Sequence, residues 1–198
     1  MNLPNKITLS RILLIPVFVL FFYLDALDYN ELIAAIIFAV AATTDFLDGY
    51  IARSRHLVTN MGKFLDPIAD KVLVSTALIL LLTRPAIFAS YVEWGWALAG
   101  ICIALIIGRE LIIGGFRLVA VEKQAVIAAD MLGKCKTVVQ DITIVALLVG
   151  TAFLSVETLK AFSIIGLICL SITALLTVVS GANYIIKNRH VLKDEEAE

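Results

Sequence analysis

Four aspartates stand at spacings that suit hard-cation chemistry: Asp45 and Asp48 are three residues apart, Asp66 and Asp70 four apart. Residues so spaced on a helix share one face, so each pair presents two carboxylates to the same side. Only a short connection separates the pairs, which makes the two helices antiparallel neighbours and lets four carboxylates converge. Hard carboxylate oxygens suit Mg2+, Mn2+ or Ca2+ rather than a soft metal. The flanking sequence is strongly apolar, and an ionised aspartate at the centre of a membrane span costs roughly 2.5–3.5 kcal/mol. Four unpaired ones would cost on the order of 10 kcal/mol, before mutual repulsion. The basic side chains nearby are too few and too scattered to neutralise them. Divalent ions are sufficient. Gly49 follows Asp48 and Gly62 precedes Asp66; at each, the missing side chain either admits a ligand to the backbone or lets a neighbouring helix pack closely.

A second group is basic. Lys71 and Arg109 fall inside apolar runs, Arg109 with Glu110 beside it. Arg117 is eight residues on, just over two helical turns, so both arginines can face one groove. Lys134 and Lys136 lie in Leu-Gly-Lys-Cys-Lys-Thr, and Arg11 lies close to Thr8. Convergence of these groups would make a pocket for an anionic group, since arginine binds phosphate in a bidentate way. A small molecule carrying its own phosphate fits such a pocket, and a neutral choline-like alcohol does not. Two alternatives stay open: Arg109 pairs with Glu110 or an aspartate of the cluster, and the lysines bind anionic lipid head groups.

The elements that position these residues are membrane helices. Of 198 residues, 61% are hydrophobic and 17% charged, with mean hydropathy +0.97; soluble domains carry about 25% charged residues. Spanning helices need about 20 mostly apolar residues, and six candidates appear at residues 9–27, 32–51, 64–82, 94–119, 138–154 and 159–186. A short interfacial segment at residues 4–8 leads into the first. The apolar runs are long and continuous rather than alternating, which argues against strands. One domain over residues 1–198 is expected, with a tail from about residue 187 whose last residues, 193–198, are solvated and frayed.

Asp25 and Asp28 follow the first run without a small-residue cleavage pattern, so it reads as a retained span and not a signal peptide. Lys6, Arg11, Arg53, Arg55, Lys63, Arg117, Lys123, Lys134, Lys136, Lys187, Arg189 and Lys193 gather on one side of the spans, and only Arg84 and Lys160 oppose the trend. The positive-inside rule then makes both termini cytoplasmic. Trp94 and Trp96 suit an interfacial belt on the other side. The net charge of −1 is balanced and indicates no nucleic-acid partner. Cys102, Cys135 and Cys169 lack ligand spacing and read as filler; His56 and His190 read as solvated.

The pattern D-x-x-D-G-x-x-A-R, eight residues, then G-x-x-x-D-x-x-x-D resembles the signature of the CDP-alcohol phosphatidyltransferase family. Asp45, Asp48, Gly49, Ala52, Arg53, Gly62, Asp66 and Asp70 fill every specified position. The resemblance implies an all-α membrane protein of six transmembrane helices, the CDP-alcohol phosphotransferase fold, usually dimeric. It implies two divalent metal ions, Mg2+ or Mn2+, on the four aspartates, in a cavity open to the cytoplasm. It makes Asp70 the base for the acceptor hydroxyl and places Asn5, Gly49, Ala52, Arg53 and Gly62 beside the CDP-lipid. Arg53 has a plainer alternative as a topology-setting charge. Within the family, the start Met-Asn-Leu-Pro-Asn-Lys-Ile-Thr-Leu-Ser-Arg, Gly-Arg-Glu-Leu with Arg117 downstream, and Gly133-Lys-x-Lys-Thr-x-x-Gln140 are similar to the bacterial phosphatidylglycerophosphate synthases.

That branch implies CDP-diacylglycerol and sn-glycerol 3-phosphate as substrates. It implies an acceptor-phosphate site at Thr8, Arg11, Arg109, Arg117, Lys134 and Lys136, in the bacterial cytoplasmic membrane. Asp130-Met131 departs from the small or hydroxyl residue expected after Ala-Ala. A sister enzyme with another acceptor, phosphatidylglycerol or inositol phosphate, is the alternative within the family. A divalent-cation transporter is the alternative outside it, although the acids gather at one face instead of spacing through the bilayer.

Overall fold

The computed structural model of the chain describes the backbone of residues 3–54, 60–89, 92–122, 131–153 and 156–192. Within these stretches, the side chains at 3–7, 45–54, 60–64, 66–67, 121–122, 131–132, 156–159, 161, 190 and 192 lie outside the described set. The elements are α1 (Leu3–Tyr23), α2 (Asn30–Ser54), α3 (Asn60–Leu82), the single turn α4 (Ala86–Ala89), α5 (Gly95–Glu122), α6 (Met131–Phe153) and α7 (Val156–Lys187), followed by a 3-10 turn at Arg189–Leu192. No strand occurs among the described residues.

Three stretches, Gly95–Ala120, Gly133–Phe153 and Phe162–Lys187, are long and apolar enough to cross a membrane, and Thr8–Tyr23 and Asn30–Thr44 are shorter apolar helices. The chain is an all-helical membrane protein. Several expected boundaries change, the largest at α6, which begins at Met131, seven residues before the expected 138, because the helix continues through Lys134 and Lys136, with Lys136 bonded to Glu110. The lead-in segment at residues 4–8 is not a separate element but the first turns of α1, because proline is tolerated where a helix begins and has no N–H to leave unpaired. The far end of α1 stops at Tyr23, four residues early. There the Asn30 Nδ2 donates to the Phe22 carbonyl (3.1 Å) and to Asp25 Oδ1 (3.2 Å), closing the helix end and turning the chain.

The tail also begins differently. The 3-10 turn folds back on α5, and Val191 is buried with Phe116, Ala120 and Tyr184. Residues 193–198 lie outside the described residues, as do the loop with His56 and the Asp130 position. The three cysteines are free thiols.

Packing divides the bundle into two groups. α1 lies on α2 and α3, while α7 lies on α5 and α6; α2 reaches across to α6, and α3 to α5 and α6. Fully buried Phe18, Phe22, Phe38, Leu73 and Leu78 fill the first group, with the Phe18 and Phe38 rings 6.0 Å apart. The exposed Leu111, Ile112, Leu118, Leu175 and Ile186 form an apolar exterior that only a lipid-like solvent suits.

At the ends of α1 and α3 remote from the aspartates, Arg84 forms a clasp. Its guanidinium donates to Asp25 Oδ1 (2.5 Å) and to the Phe22 carbonyl (3.4 Å), and it sits 5.5 Å from the Phe22 ring centre. The hydrogen bond from Arg84 holds the Asp25 carboxyl below the usual carboxylate range. Tyr23 donates to Thr83 Oγ1 (2.9 Å), and the exposed Trp96 donates from Nε1 to the Leu82 carbonyl (3.0 Å). Since the C-termini of α1 and α3 meet here, the two helices run parallel. Arg11 and Asp70, 12 residues before Tyr23 and 13 before Thr83, therefore lie at one level, with Thr8 a turn nearer the aspartate end.

Candidate active site

The motif occupies the last turns of α2 and the first turns of α3, two helices in contact. Asp45, Asp48, Gly49, Ala52 and Arg53 lie on α2, and Gly62 and Asp66 on α3; their side chains, and that of Asn5 on α1, lie outside the described residues. Asp70 is described: it is half-buried on α3 and makes polar interactions there. Among the described residues no three metal-binding side chains gather, three of the four aspartates being outside that set. The donor chemistry nevertheless fits hard divalent cations, with only carboxylates offered on two touching helix ends.

Next to Asp70, Lys71 leaves α3 and reaches α5, where its ammonium donates to the Glu110 carbonyl (3.0 Å). Gly114 makes this possible, because a Cβ there would strike the Lys71 Nζ. Glu110 in turn is the hub of the basic group. Its Oε1 accepts from Arg109 Nη1 (3.1 Å) and from Lys136 Nζ on α6. Side-chain exposure is 14% for Arg109, 16% for Glu110 and 5% for Lys136, so these charges are largely removed from solvent and depend on one another. Among the described residues Arg109 pairs with Glu110, one of the two readings left open for it; three of the four aspartates lie outside that set.

Arg109 continues to α7, where its Nη2 donates to Ser180 Oγ (3.3 Å). Gly181 gives it room. A Cβ at 181 would lie 2.9 Å from Arg109 Cγ and 3.1 Å from Nε. Gly181→Ala is therefore expected to overpack the α5–α7 contact and lower stability by about 1–3 kcal/mol. A melting curve in detergent reads this directly, and an unchanged Tm would mean that Arg109 relaxes at no cost.

The remaining expected residues divide. Thr8 and Arg11 are fully buried on α1 at the same end of the bundle, and both make polar interactions. Arg117 is exposed and engaged by Tyr184: its Nε donates to the Tyr184 hydroxyl (3.3 Å), with the guanidinium 5.5 Å from the ring centre. Lys134 is exposed, whereas Lys136 is buried. The structure thus gathers Arg109 and Lys136 at Glu110 and leaves Arg117 and Lys134 on the rim.

Sequence reasoning missed Ser180, Tyr184, Gly114 and Gly181. For the glycines a signal existed, since glycine inside an apolar span marks close helix approach. Also missed were Gln140 Oε1 and Thr177 Oγ1, two of several buried polar atoms that have no hydrogen-bond partner among the described residues. Each costs roughly 1–3 kcal/mol when left unsatisfied.

Comparisons with known proteins show what the chain is similar to. A family model described as CDP-alcohol phosphatidyltransferase matches residues 1–189. The CDP-diacylglycerol–glycerol-3-phosphate 3-phosphatidyltransferase of Bacillus subtilis (strain 168) is 44% identical over 203 aligned residues, covering 97% of both sequences. The protein of that name from Rickettsia bellii is 36% identical over 92% of this chain and 93% of its own length. The one from Escherichia coli (strain K12) is 40% identical over 74% of this chain and 76% of its own.

Proposed function

The chain belongs to the CDP-alcohol phosphatidyltransferase family, and from that premise we propose that it transfers the phosphatidyl group of CDP-diacylglycerol to sn-glycerol 3-phosphate. The observation that carries this reading is the 44% identity to the Bacillus subtilis enzyme across 97% of both sequences. The products are phosphatidylglycerophosphate and CMP. The acceptor C1 oxygen forms a bond to the lipid-bearing phosphorus as the bond from that phosphorus to the CMP oxygen breaks. CMP departs with the electron pair, and the acceptor proton goes to a base.

Asp70 is that base. It is half-buried on α3, one residue from the lysine that links α3 to the basic group. Asp45, Asp48, Asp66 and Asp70 would hold two divalent ions, Mg2+ or Mn2+. Bound there, such ions supply charge neutralisation at the diphosphate and at the departing phosphate oxygen. Asn5, Gly49, Ala52, Arg53 and Gly62 contact the CDP-lipid. Arg109 and Lys136, steered by Glu110, bind the acceptor phosphate together with Thr8 and Arg11, while Arg117 and Lys134 attract it at the rim. A largely buried arginine beside a buried lysine supports this assignment, because fixed charge-assisted donors orient a phosphate as well as attract it.

In this reading the chain has six transmembrane helices, with the site at the cytoplasmic face of the bacterial membrane and both termini inside; the one-sided loop charges support that orientation. The working unit is a homodimer, as the family resemblance implies.

The test is CMP release from CDP-diacylglycerol by purified protein across Mg2+ and Mn2+ concentrations. Release is expected to require both sn-glycerol 3-phosphate and a divalent ion, and to stop on adding chelator. Undiminished release with chelator present would sink the metal assignment, and release indifferent to the acceptor would sink the transfer reaction.

A further inference from the structure

Hydroxyls on these apolar helices satisfy themselves locally. Thr137, Thr143, Thr173 and Ser180 each donate to a backbone carbonyl one turn back, the ordinary resort of serine and threonine in a membrane helix. Thr177 and Ser163 on α7 do not: both are fully buried, and neither hydroxyl has a partner among the described residues. Ser163 lies near the start of α7, remote from the aspartates, whereas Thr177 lies toward the aspartate end, as does Gln140 on α6, which is 2% exposed and whose Oε1 likewise has no partner among the described residues.

The α6–α7 register puts these two atoms at one level. Thr143 and Thr173 touch across the interface, Oγ1 to Oγ1 at 3.5 Å. Toward the aspartate end, α6 steps from Thr143 to Gln140 to Lys136, and α7 steps from Thr173 to Thr177 to Ser180. Lys136 and Ser180 are joined again through Glu110 and Arg109. Gln140 and Thr177 therefore stand between two pinned layers, one turn below the basic cluster, or about 5.4 Å. That is the scale of a three-carbon chain hanging from a phosphate.

We propose that Gln140 and Thr177 are the specificity floor of the acceptor pocket and bind the acceptor's non-reacting C2 hydroxyl. The inference rests on the acceptor reading given under Proposed function. A hydroxyl donates one hydrogen bond and accepts others. Here it donates to Gln140 Oε1, which can only accept, and accepts from the Thr177 hydroxyl. With its phosphate at Arg109 and Lys136 and its C2 oxygen on this floor, the acceptor is held at two points, leaving C1 as the end free to react. Both residues act by holding substrate.

The test compares sn-glycerol 3-phosphate with 3-hydroxypropyl phosphate, which lacks the C2 hydroxyl, in Thr177→Val and Gln140→Leu. Each variant is expected to lose roughly 10- to 100-fold in kcat/KM for sn-glycerol 3-phosphate. On 3-hydroxypropyl phosphate, variants and wild type should converge. The Tm of each variant should equal or exceed that of wild type, because a buried polar group without a protein partner is replaced by an apolar one of similar shape. A merely structural role predicts instead a lower Tm and equal losses on both acceptors, and that result would overturn the proposal, as would unchanged kcat/KM for sn-glycerol 3-phosphate. Wild-type protein that releases no CMP with sn-glycerol 3-phosphate would overturn the acceptor assignment itself, and the floor with it, before any variant is compared.

Discussion

Asp70→Asn is expected to lower CMP release by roughly 10²–10⁴-fold, the range that general-base help supplies, while CDP-diacylglycerol binding is largely retained. Asparagine keeps the size and one oxygen of the carboxylate but cannot take the acceptor's proton. The aspartate is half-buried on α3 beside Lys71, whose ammonium is committed to the Glu110 carbonyl and is no base, and the other three carboxylates of the motif would be engaged by metal in the proposed site. Loss of a metal contact is the competing cause, and the two differ in what rescues them. A weakened metal site recovers as Mn2+ is raised; a missing base does not. Turnover at the wild-type rate, or full recovery at high metal, removes Asp70 from the role of base.

The second large effect falls on the buried cations. Lys136→Met is expected to raise the apparent KM for sn-glycerol 3-phosphate about 10- to 150-fold, the equivalent of one charge-assisted hydrogen bond of about 1.5–3 kcal/mol. The KM for CDP-diacylglycerol should move little. Folding should survive, because Glu110 keeps Arg109 as a partner after Lys136 is removed. Lys134→Met, two residues away but exposed, is the internal control and should change the same KM only slightly. Equal shifts for both substrates would show that the basic group serves the nucleotide or the fold and not the acceptor.

These two experiments bear on different layers of what the sequence discloses. The aspartate motif and its helices were legible because spacing and apolar length are local properties. The span limits were legible to within a few residues except at two ends: α1 stops at Tyr23 because Asn30, seven residues downstream, closes it, and α6 starts at Met131, seven residues before 138, because the helix runs on through lysines that apolar length excludes. Lys71 and Arg109 were recognisable as unusual cations in apolar surroundings. That Glu110 ties Arg109 to Lys136, and that Lys136 rather than Lys134 turns inward, depends on how α5, α6 and α7 meet. Gly114 and Gly181 acquire meaning only once Lys71 and Arg109 are seen to lie against them. Thr177 gave no sign at all, since its distinction is a hydrogen bond that its hydroxyl does not make to any described residue.

The Arg84 clasp has a mechanical corollary. α1 and α3 are parallel rods, pinned to one another at the tips where Arg84 grips Asp25 and the Phe22 carbonyl. Arg11 stands 12 residues before Tyr23 and Asp70 stands 13 before Thr83, so each lies about 18–20 Å along its helix from that pin. Arg84 thus sets the lengthwise register of α1 against α3, and with it the common level of Arg11 and Asp70.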